Sequence, residues 1–303
     1  MQSQFTHDIS PDDRAAVAAQ RAMALPNKGQ LRGAGARAAY DEIIAYVAAP
    51  DGVTYEADTI GGVSGWWCRT ATVRPSAAIL YLHGGWYVWG TAQAYRHFAG
   101  HVAARSGAPV FVADYRLAPE HPFPAALVDA ESAYRGLLER GYERIALVGD
   151  SAGGGLALSL AARLSASMTA RPVGVAALSP LTDLTLSGKS WETRAEADPY
   201  FTKSQGVANV SAYVNAQDAR DPLASPLYGD FADLPPVHII VGDDETLLDD
   251  STRFADRVTA AGANVRLDIW LGMPHVFLTS VGQLRAADEA FAALGDFLGK
   301  RFM

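Results

Sequence analysis

Cysteine is nearly missing from this chain: Cys68 stands alone in 303 residues. One thiol excludes an intrachain disulfide framework and any cysteine-rich metal centre. In SGWWCR it is expected as a buried thiol on a strand. Basic charge is thin as well, with 25 Lys and Arg against 33 Asp and Glu, a net charge of −8, and no clustered basic stripe. Phosphate backbones are held by such stripes, so no nucleic-acid partner is expected. No stretch reaches the roughly 18 uninterrupted apolar residues of a membrane-spanning helix. The opening MQSQFTHDISPDD has neither the basic start nor the apolar run of a secretory leader, so a cytoplasmic location is expected.

Metal and cofactor signatures are equally scarce. His97 and His101 lie four apart, as zinc ligands on a helix do, but Phe98 stands where a zinc protease needs its general-base Glu. Both are read as structural. GAGARA, residues 33 to 38, echoes a dinucleotide fingerprint without the strand that must precede one. The expectation is a chain with no metal and no cofactor.

What is present is rhythm. The first 50 residues read as helical pieces, DDRAAVAAQRAMA and ARAAYDEIIAYVAA, broken at Leu25-Pro26-Asn27 and Pro50-Asp51-Gly52. VTYEAD and SGWWCR alternate across Gly61-Gly62, as in an antiparallel hairpin. From Ala77 onward, apolar runs alternate with helical stretches: AAILYLH, PVFVAD, RIALVG, VGVAALS, VHIIVG and NVRLDIWL are the strands. Such alternation predicts an α/β fold, a mostly parallel sheet with helices on both faces. Residues 184 to 230 break the rhythm with Trp191, Tyr200, Phe201, Tyr213, Tyr228 and Phe231, and read as a lid insertion. With an N-terminal helical cap segment, 1–50, it would roof a catalytic domain, 51–303, at the sheet's carboxyl edge.

Three segments carry chemistry. GDSAGGG, residues 149 to 155, follows a strand and opens a helix, the context in which Gly-x-Ser-x-Gly exposes a nucleophile. Ser151 is the expected nucleophile, and the Ala152 N–H at the helix start is an expected oxyanion donor. A P-loop is excluded because no Gly-Lys-Ser/Thr follows. HGGWYVWG, residues 83 to 90, also follows a strand; Gly84 and Gly85 are expected to aim two further N–H groups at the oxyanion, with His83 supporting the loop. Trp86, Tyr87 and Asp150 are candidate pocket residues. The base must be one of seven histidines. His7 falls in an apparently frayed end, His121 in PEHPFP, and His238 inside a strand. His275, in the loop LGMPHVF beyond a strand, suits a mobile imidazole, and serine, acid and histidine then follow the chain order of α/β-hydrolases.

The acid is harder to choose. HIIVGDDETLLDD places five carboxylates between positions 243 and 250. Asp249 and Asp250 start a helix, where acidic residues cap N–H groups. Asp243, Asp244 and Glu245 remain on the turn, and spacing cannot separate them.

HGGW, DYRLAPEHPFPAAL, GDSAGGG, SPLTDL, GDDETLLDD and MPHVF together resemble the bacterial hormone-sensitive-lipase-like esterases of the α/β-hydrolase superfamily. In that family the acid is the third residue after the strand-ending glycine, which implies Glu245, with Asp244 as second choice. The sequence departs from the family in Glu-Thr for Asp-Pro, and in Trp86 for the last glycine of His-Gly-Gly-Gly. His-Gly-Gly-Trp also occurs in arylformamidases, so the resemblance implies a carboxylic ester hydrolase with an amide, formamide or lactone hydrolase as the alternative. A catalytically silent binding protein on the same fold is the reading outside enzymes. The partner implied is a small-molecule ester; the family also implies a lid and frequent homodimers.

Overall fold

The computed structural model describes residues 2–72, 74–167, 171–215 and 218–303; positions 216 and 217 of the expected insertion fall outside these. Among the described residues, nine strands form one sheet in the order β1-β9-β8-β7-β6-β4-β5-β3-β2. They are β1 (Gln2–His7), β2 (Val53–Ile60), β3 (Val63–Thr70), β4 (Ala77–Leu82), β5 (Val110–Ala113), β6 (Arg144–Asp150), β7 (Gly174–Leu178), β8 (Val237–Gly242) and β9 (Val265–Trp270). The hairpin is as expected. Ile60 faces Val63 across Gly61 and Gly62, both at positive φ (58° and 80°), the backbone that a two-residue turn requires. Only the β2–β3 and β3–β5 pairings are antiparallel among the described residues, so β3 alone runs against the sheet.

Helices α3 (Ala92–Ser106), α4 (Ala125–Glu139), α5 (Ser151–Ser167), α8 (Leu248–Ala260) and α9 (Arg285–Arg301) cover the sheet. Alternation along each central strand feeds two cores. Leu80 and Leu82 of β4 pack toward α4, α5 and α8, whereas Ile79 and Tyr81 pack toward α3 and α9. β4 is buried along its whole length, as an apolar strand covered on both faces must be. Cys68 is a buried thiol on β3.

β4 and β6 run parallel, but the strand order reverses between them: β5 lies on one side of β4, while β6 to β9 extend on the other. Loops leaving those two strands diverge and open a crevice, where doubly wound sheets hold ligands. Helices α1 (Pro11–Ala24) and α2 (Arg37–Ala45) belong to the N-terminal segment, and α6 (Ser190–Thr193) and α7 (Lys203–Tyr213) to the insertion.

The N-terminus corrects one expectation. His7 is not frayed; it ends β1, which pairs in parallel with β9 from Gln2↔Val265 to His7↔Trp270. Its ring stacks on Trp270 at 4.0 Å, and its Nε2 lies 3.0 Å from Asp268. Buried Asp268 also accepts bonds from His238 and Arg266, so one carboxylate ties β1, β8 and β9. Those three cationic or hydrogen-bonding partners hold it down to about 2 against the push of burial.

Candidate active site

Ser151 stands where β6 ends and α5 begins, at φ +52°. A non-glycine residue there costs on the order of 1–3 kcal/mol and persists only when its surroundings enforce it. Here Leu181 N–H holds the Ser151 carbonyl at 2.9 Å. The flanking glycines are sterically required: a Cβ on Gly153 would lie 2.0 Å from the Leu82 carbonyl oxygen, and one on Gly149 2.3 Å from the Gly153 carbonyl oxygen. The turn is therefore pressed against the end of β4.

The loop after β4 is held from below. His83 is fully buried, and burial lowers it to about 4, so it is neutral. Its Nδ1–H donates to the Gly84 carbonyl at 2.8 Å, and the ring stacks on Tyr115 at 4.3 Å, which fits a supporting role. Gly84 departs from expectation. Its N–H donates to Asp150 Oδ1 at 2.9 Å, so it is turned away from any substrate. The next two amides, Gly85 and Trp86, have no acceptor among the described residues. A Cβ on Gly85 (φ +112°) would meet the Trp89 carbonyl oxygen at 2.3 Å. Trp86 takes a left-handed turn at φ +58° without being glycine, its indole 5.3 Å from Phe201 and 6.2 Å from Trp191. The GAGARA segment finds its use here. Gly33 accepts from the Trp89 indole at 2.7 Å, and Arg37 donates to the carbonyls of Val88 and Ala118.

His275 follows β9. Its Nδ1–H donates to Glu245 Oε1 at 3.0 Å, fixing the tautomer with Nε2 bare. Glu245 is completely buried, its other oxygen accepting Ser179 Oγ at 2.7 Å and Gly242 N–H at 3.2 Å. Burial disfavours a charged imidazole, yet the Glu245 carboxylate more than offsets it, so His275 is raised above its ordinary 6.5. Asp244, the second choice for the acid, turns outward and pairs with Arg21 of α1 at 2.6 Å. Asp243 accepts from Gly272 N–H, and its carbonyl accepts from Arg194 at 2.7 Å. Asp249 and Asp250 lie in the first turn of α8 but make no cap bond to it; they tie neighbouring segments instead. Asp249 accepts from Ser190 N–H, and Asp250, fully buried, from the N–H groups of Thr182 and Asp183. The acidic run thus contains one histidine partner and four tethers for surrounding segments.

Ser151, His275, Gly85, Trp86 and Asp150 all line one cavity of about 580 Å³. Its outer wall comes from α1 (Gln20, Met23), from Tyr40, Ile43, Ile44 and Val47 at helical spacing on and just beyond α2, and from Tyr200, Phe201 and Gln205. Met23, Ile43 and Tyr46 stay exposed at the mouth. Tyr87, a candidate pocket residue, is not part of this wall; it stacks on Tyr213 at 3.8 Å. Asp150 touches the cavity, but hydrogen bonds occupy both its oxygens. Ser179, the first residue of SPLTDL, had no role assigned from sequence but belongs with these residues: besides bonding Glu245, its Oγ accepts Val276 N–H at 3.1 Å. No group of three metal-ligating side chains occurs among the described residues. Nor is any of their helices long and apolar enough to cross a membrane.

The chain as a whole is similar to known proteins. Residues 79–279 fit the family described by the α/β-hydrolase fold. The acetyl-hydrolase of Streptomyces hygroscopicus is 37% identical over 242 residues, 79% of this chain and 81% of that protein. The ethyl acetate hydrolase of Pseudomonas putida is 33% identical, spanning 73% of this chain and 72% of that protein. A crystal structure of an esterase from the bacterial hormone-sensitive lipase family superposes with a TM-score of 0.89 at 36% identity, covering 97% of this chain and 99% of that one. The chain belongs to the bacterial hormone-sensitive-lipase-like esterases of the α/β-hydrolase superfamily. It is an ester-hydrolysing enzyme.

Proposed function

We propose that the chain is a serine carboxylesterase for neutral esters of short to medium acyl length, with Ser151, His275 and Glu245 as its triad. One observation carries this reading: an imidazole whose Nδ1–H is committed to a buried carboxylate faces the same cavity as a serine on a strained strand-to-helix turn. His275 Nε2 takes the Ser151 hydroxyl proton while Oγ adds to the ester carbonyl carbon. The N–H groups of Gly85, Trp86 and Ala152 receive the oxyanion; Gly84 serves by anchoring the loop. Collapse of the tetrahedral species breaks the carbonyl carbon–alkoxy oxygen bond, and the alcohol departs with the proton from His275. Water repeats the steps on the acyl-enzyme, releasing the acid and restoring Ser151.

Among the described residues Lys28 is the one Lys or Arg lining the cavity, and its ammonium is engaged by the carbonyls of Ala195 and Asp198. That leaves no free cation for an acidic substrate. The N-terminal segment and the 184–230 insertion act as the cap, with Trp86 and Phe201 closing one side. The proposal also includes a homodimer and a cytoplasmic location; sedimentation tests the first and fractionation of the native host the second.

A structure similar to this chain is an esterase soaked with p-nitrophenyl butyrate (34% identity, TM-score 0.88), which recommends the assay. Turnover of p-nitrophenyl acetate and butyrate is expected, with Ser151→Ala reducing kcat to background. A variant retaining full activity would remove Ser151 from the mechanism. Comparing kcat/KM on an ester and its matched anilide or formanilide ranks ester against amide, and faster anilide cleavage would reverse the assignment. Labelling by a fluorophosphonate separates any hydrolase from a silent binding protein.

A further inference from the structure

Three tyrosine hydroxyls and one carboxylate behind the serine have no part in the steps above. Asp150 is 2% exposed. Its Oδ1 accepts the Tyr81 hydroxyl at 2.7 Å and Gly84 N–H at 2.9 Å, and its Oδ2 accepts the Tyr95 hydroxyl at 3.0 Å. The Tyr40 and Tyr95 oxygens are 2.6 Å apart. A hydroxyl has one proton and a carboxylate has none. With Tyr95 donating to ionised Asp150, Tyr40 must donate to Tyr95. The chain therefore has one direction, from α2, through Tyr95 of α3, to the residue before Ser151. Tyr40 also packs its ring 5.5 Å from Trp89, at the end of the His83–Gly90 loop.

We propose that Tyr40 is a positioning residue that couples the seating of α2 over the cavity to the aim of the oxyanion amides. This rests on the esterase reading above. Asp150 fixes the Gly84 peptide, and turning that peptide turns the next two N–H groups. Burial raises Asp150 to about 6, with the Tyr81 and Tyr95 hydrogen bonds and the Gly84 amide opposing. Lifting α2 removes the donor that polarises Tyr95 and shifts Asp150 toward its neutral form. A protonated Asp150 carries a donor on one oxygen, so it can no longer accept from all three partners. The other titratable groups around it are His275, Tyr115, neutral His83, and Asp41, which acts on Tyr40. Asp150 raises His275 less than Glu245 and Asp198 do, so losing its charge acts mainly through Gly84.

Tyr40→Phe keeps the ring and removes only the hydroxyl. The expected result is a kcat lower by roughly three- to tenfold, the worth of one hydrogen bond, with KM within about twofold. The deficit should widen as pH falls from 8 to 6, because the variant protonates Asp150 earlier; loss of simple packing has no reason to vary with pH. Tyr95→Phe should cost more, and adding Tyr40→Phe to it should cost nothing further, because the path runs through Tyr95. A silent Tyr40→Phe at both pH values, or losses that multiply in the double variant, would overturn the proposal. If the wild type fails to turn over esters, the esterase reading falls instead. The coupling is then read from fluorophosphonate labelling rates in the same four proteins, since phosphonylation also builds charge in the oxyanion site. Equal rates, or no labelling at all, overturn it.

Discussion

Replacing Glu245 by Gln tests the proposed triad at its most constrained bond. Shape is conserved, and the only change is one oxygen becoming an NH2. Two neighbours decide which one. Ser179 Oγ at 2.7 Å and Gly242 N–H at 3.2 Å both give protons to Oε2. That position must remain an acceptor, so the new NH2 is forced toward His275 Nδ1, 3.0 Å away. Two donors cannot share a hydrogen bond, and the imidazole escapes by moving its proton to Nε2. In that tautomer it cannot accept the Ser151 proton. A wrong-tautomer triad loses about 10⁴ in kcat, and at about 1.4 kcal/mol per decade this is a barrier increase of about 5.5 kcal/mol. Initial rates with p-nitrophenyl butyrate at pH 8 measure it, with KM as the control for binding. Asp244→Asn breaks only the partly exposed pair with Arg21, worth about 0–1 kcal/mol, and should leave kcat within a few-fold. Adding Ser179→Ala to Glu245→Gln removes one donor, lets the amide flip, and should recover up to about tenfold of kcat, the upper end of the roughly 0.5–1.5 kcal/mol of a neutral hydrogen bond. Glu245→Gln keeping a tenth of wild-type kcat, or Asp244→Asn proving the more damaging, would refute the argument.

As the proposed base, His275 must be neutral, and its value is raised, so kcat/KM should fall away on the acid side with a midpoint above 6.5. The stability that His275 contributes runs the other way: it is complete below 6.5 and lost as pH rises through the raised value, which a melting series in wild type and His275→Ala would detect. Asp268→Ala strands Arg266 and two histidines and should cost about 3–5 kcal/mol in urea unfolding, with ester kcat little changed; a loss under 1 kcal/mol would mean the β1 anchor is unimportant. Trp86→Gly relieves a left-handed residue but empties a packed site, so a net loss of about 2–4 kcal/mol is expected together with relatively faster cleavage of bulkier esters; an unchanged chain-length profile would show that the indole does not shape the pocket.

The sheet was legible because its central strands are buried on both faces and their apolar runs are uninterrupted. β1 escaped for the opposite reason. QSQFTH is mostly polar and its Phe5 is 47% exposed, because the strand joins the edge of a finished sheet through backbone pairing and one shared carboxylate. The proposed nucleophile Ser151 and base His275 stood out from their loops. The acid was not, since Asp243, Asp244 and Glu245 differ only in the three-dimensional partner each meets. The misassigned Gly84 amide has the same cause: its acceptor, Asp150, lies at the end of another strand.

Backbone strain shows why local preference also fails at these places. Of the seven non-glycine residues with positive φ among those described, Trp86, Tyr87, Ser151, Ser179 and Val276 sit in the loops leaving β4, β6, β7 and β9. Each loop turns sharply within a few residues of its strand, where Gly85, Trp86, Ser151 and His275 converge on one cavity. Glycine would relax any of the five turns, but it would surrender the hydroxyls of Ser151 and Ser179, the Trp86 wall and the Tyr87–Tyr213 stack. Side chains are kept, and the strain of about 1–3 kcal/mol per residue is borne by the packing around them. That requires rigid neighbours, and the neighbours are the buried ends of β4, β6 and β7. The most regular part of the fold therefore sustains its least regular part, and only the former leaves a periodic trace in the sequence.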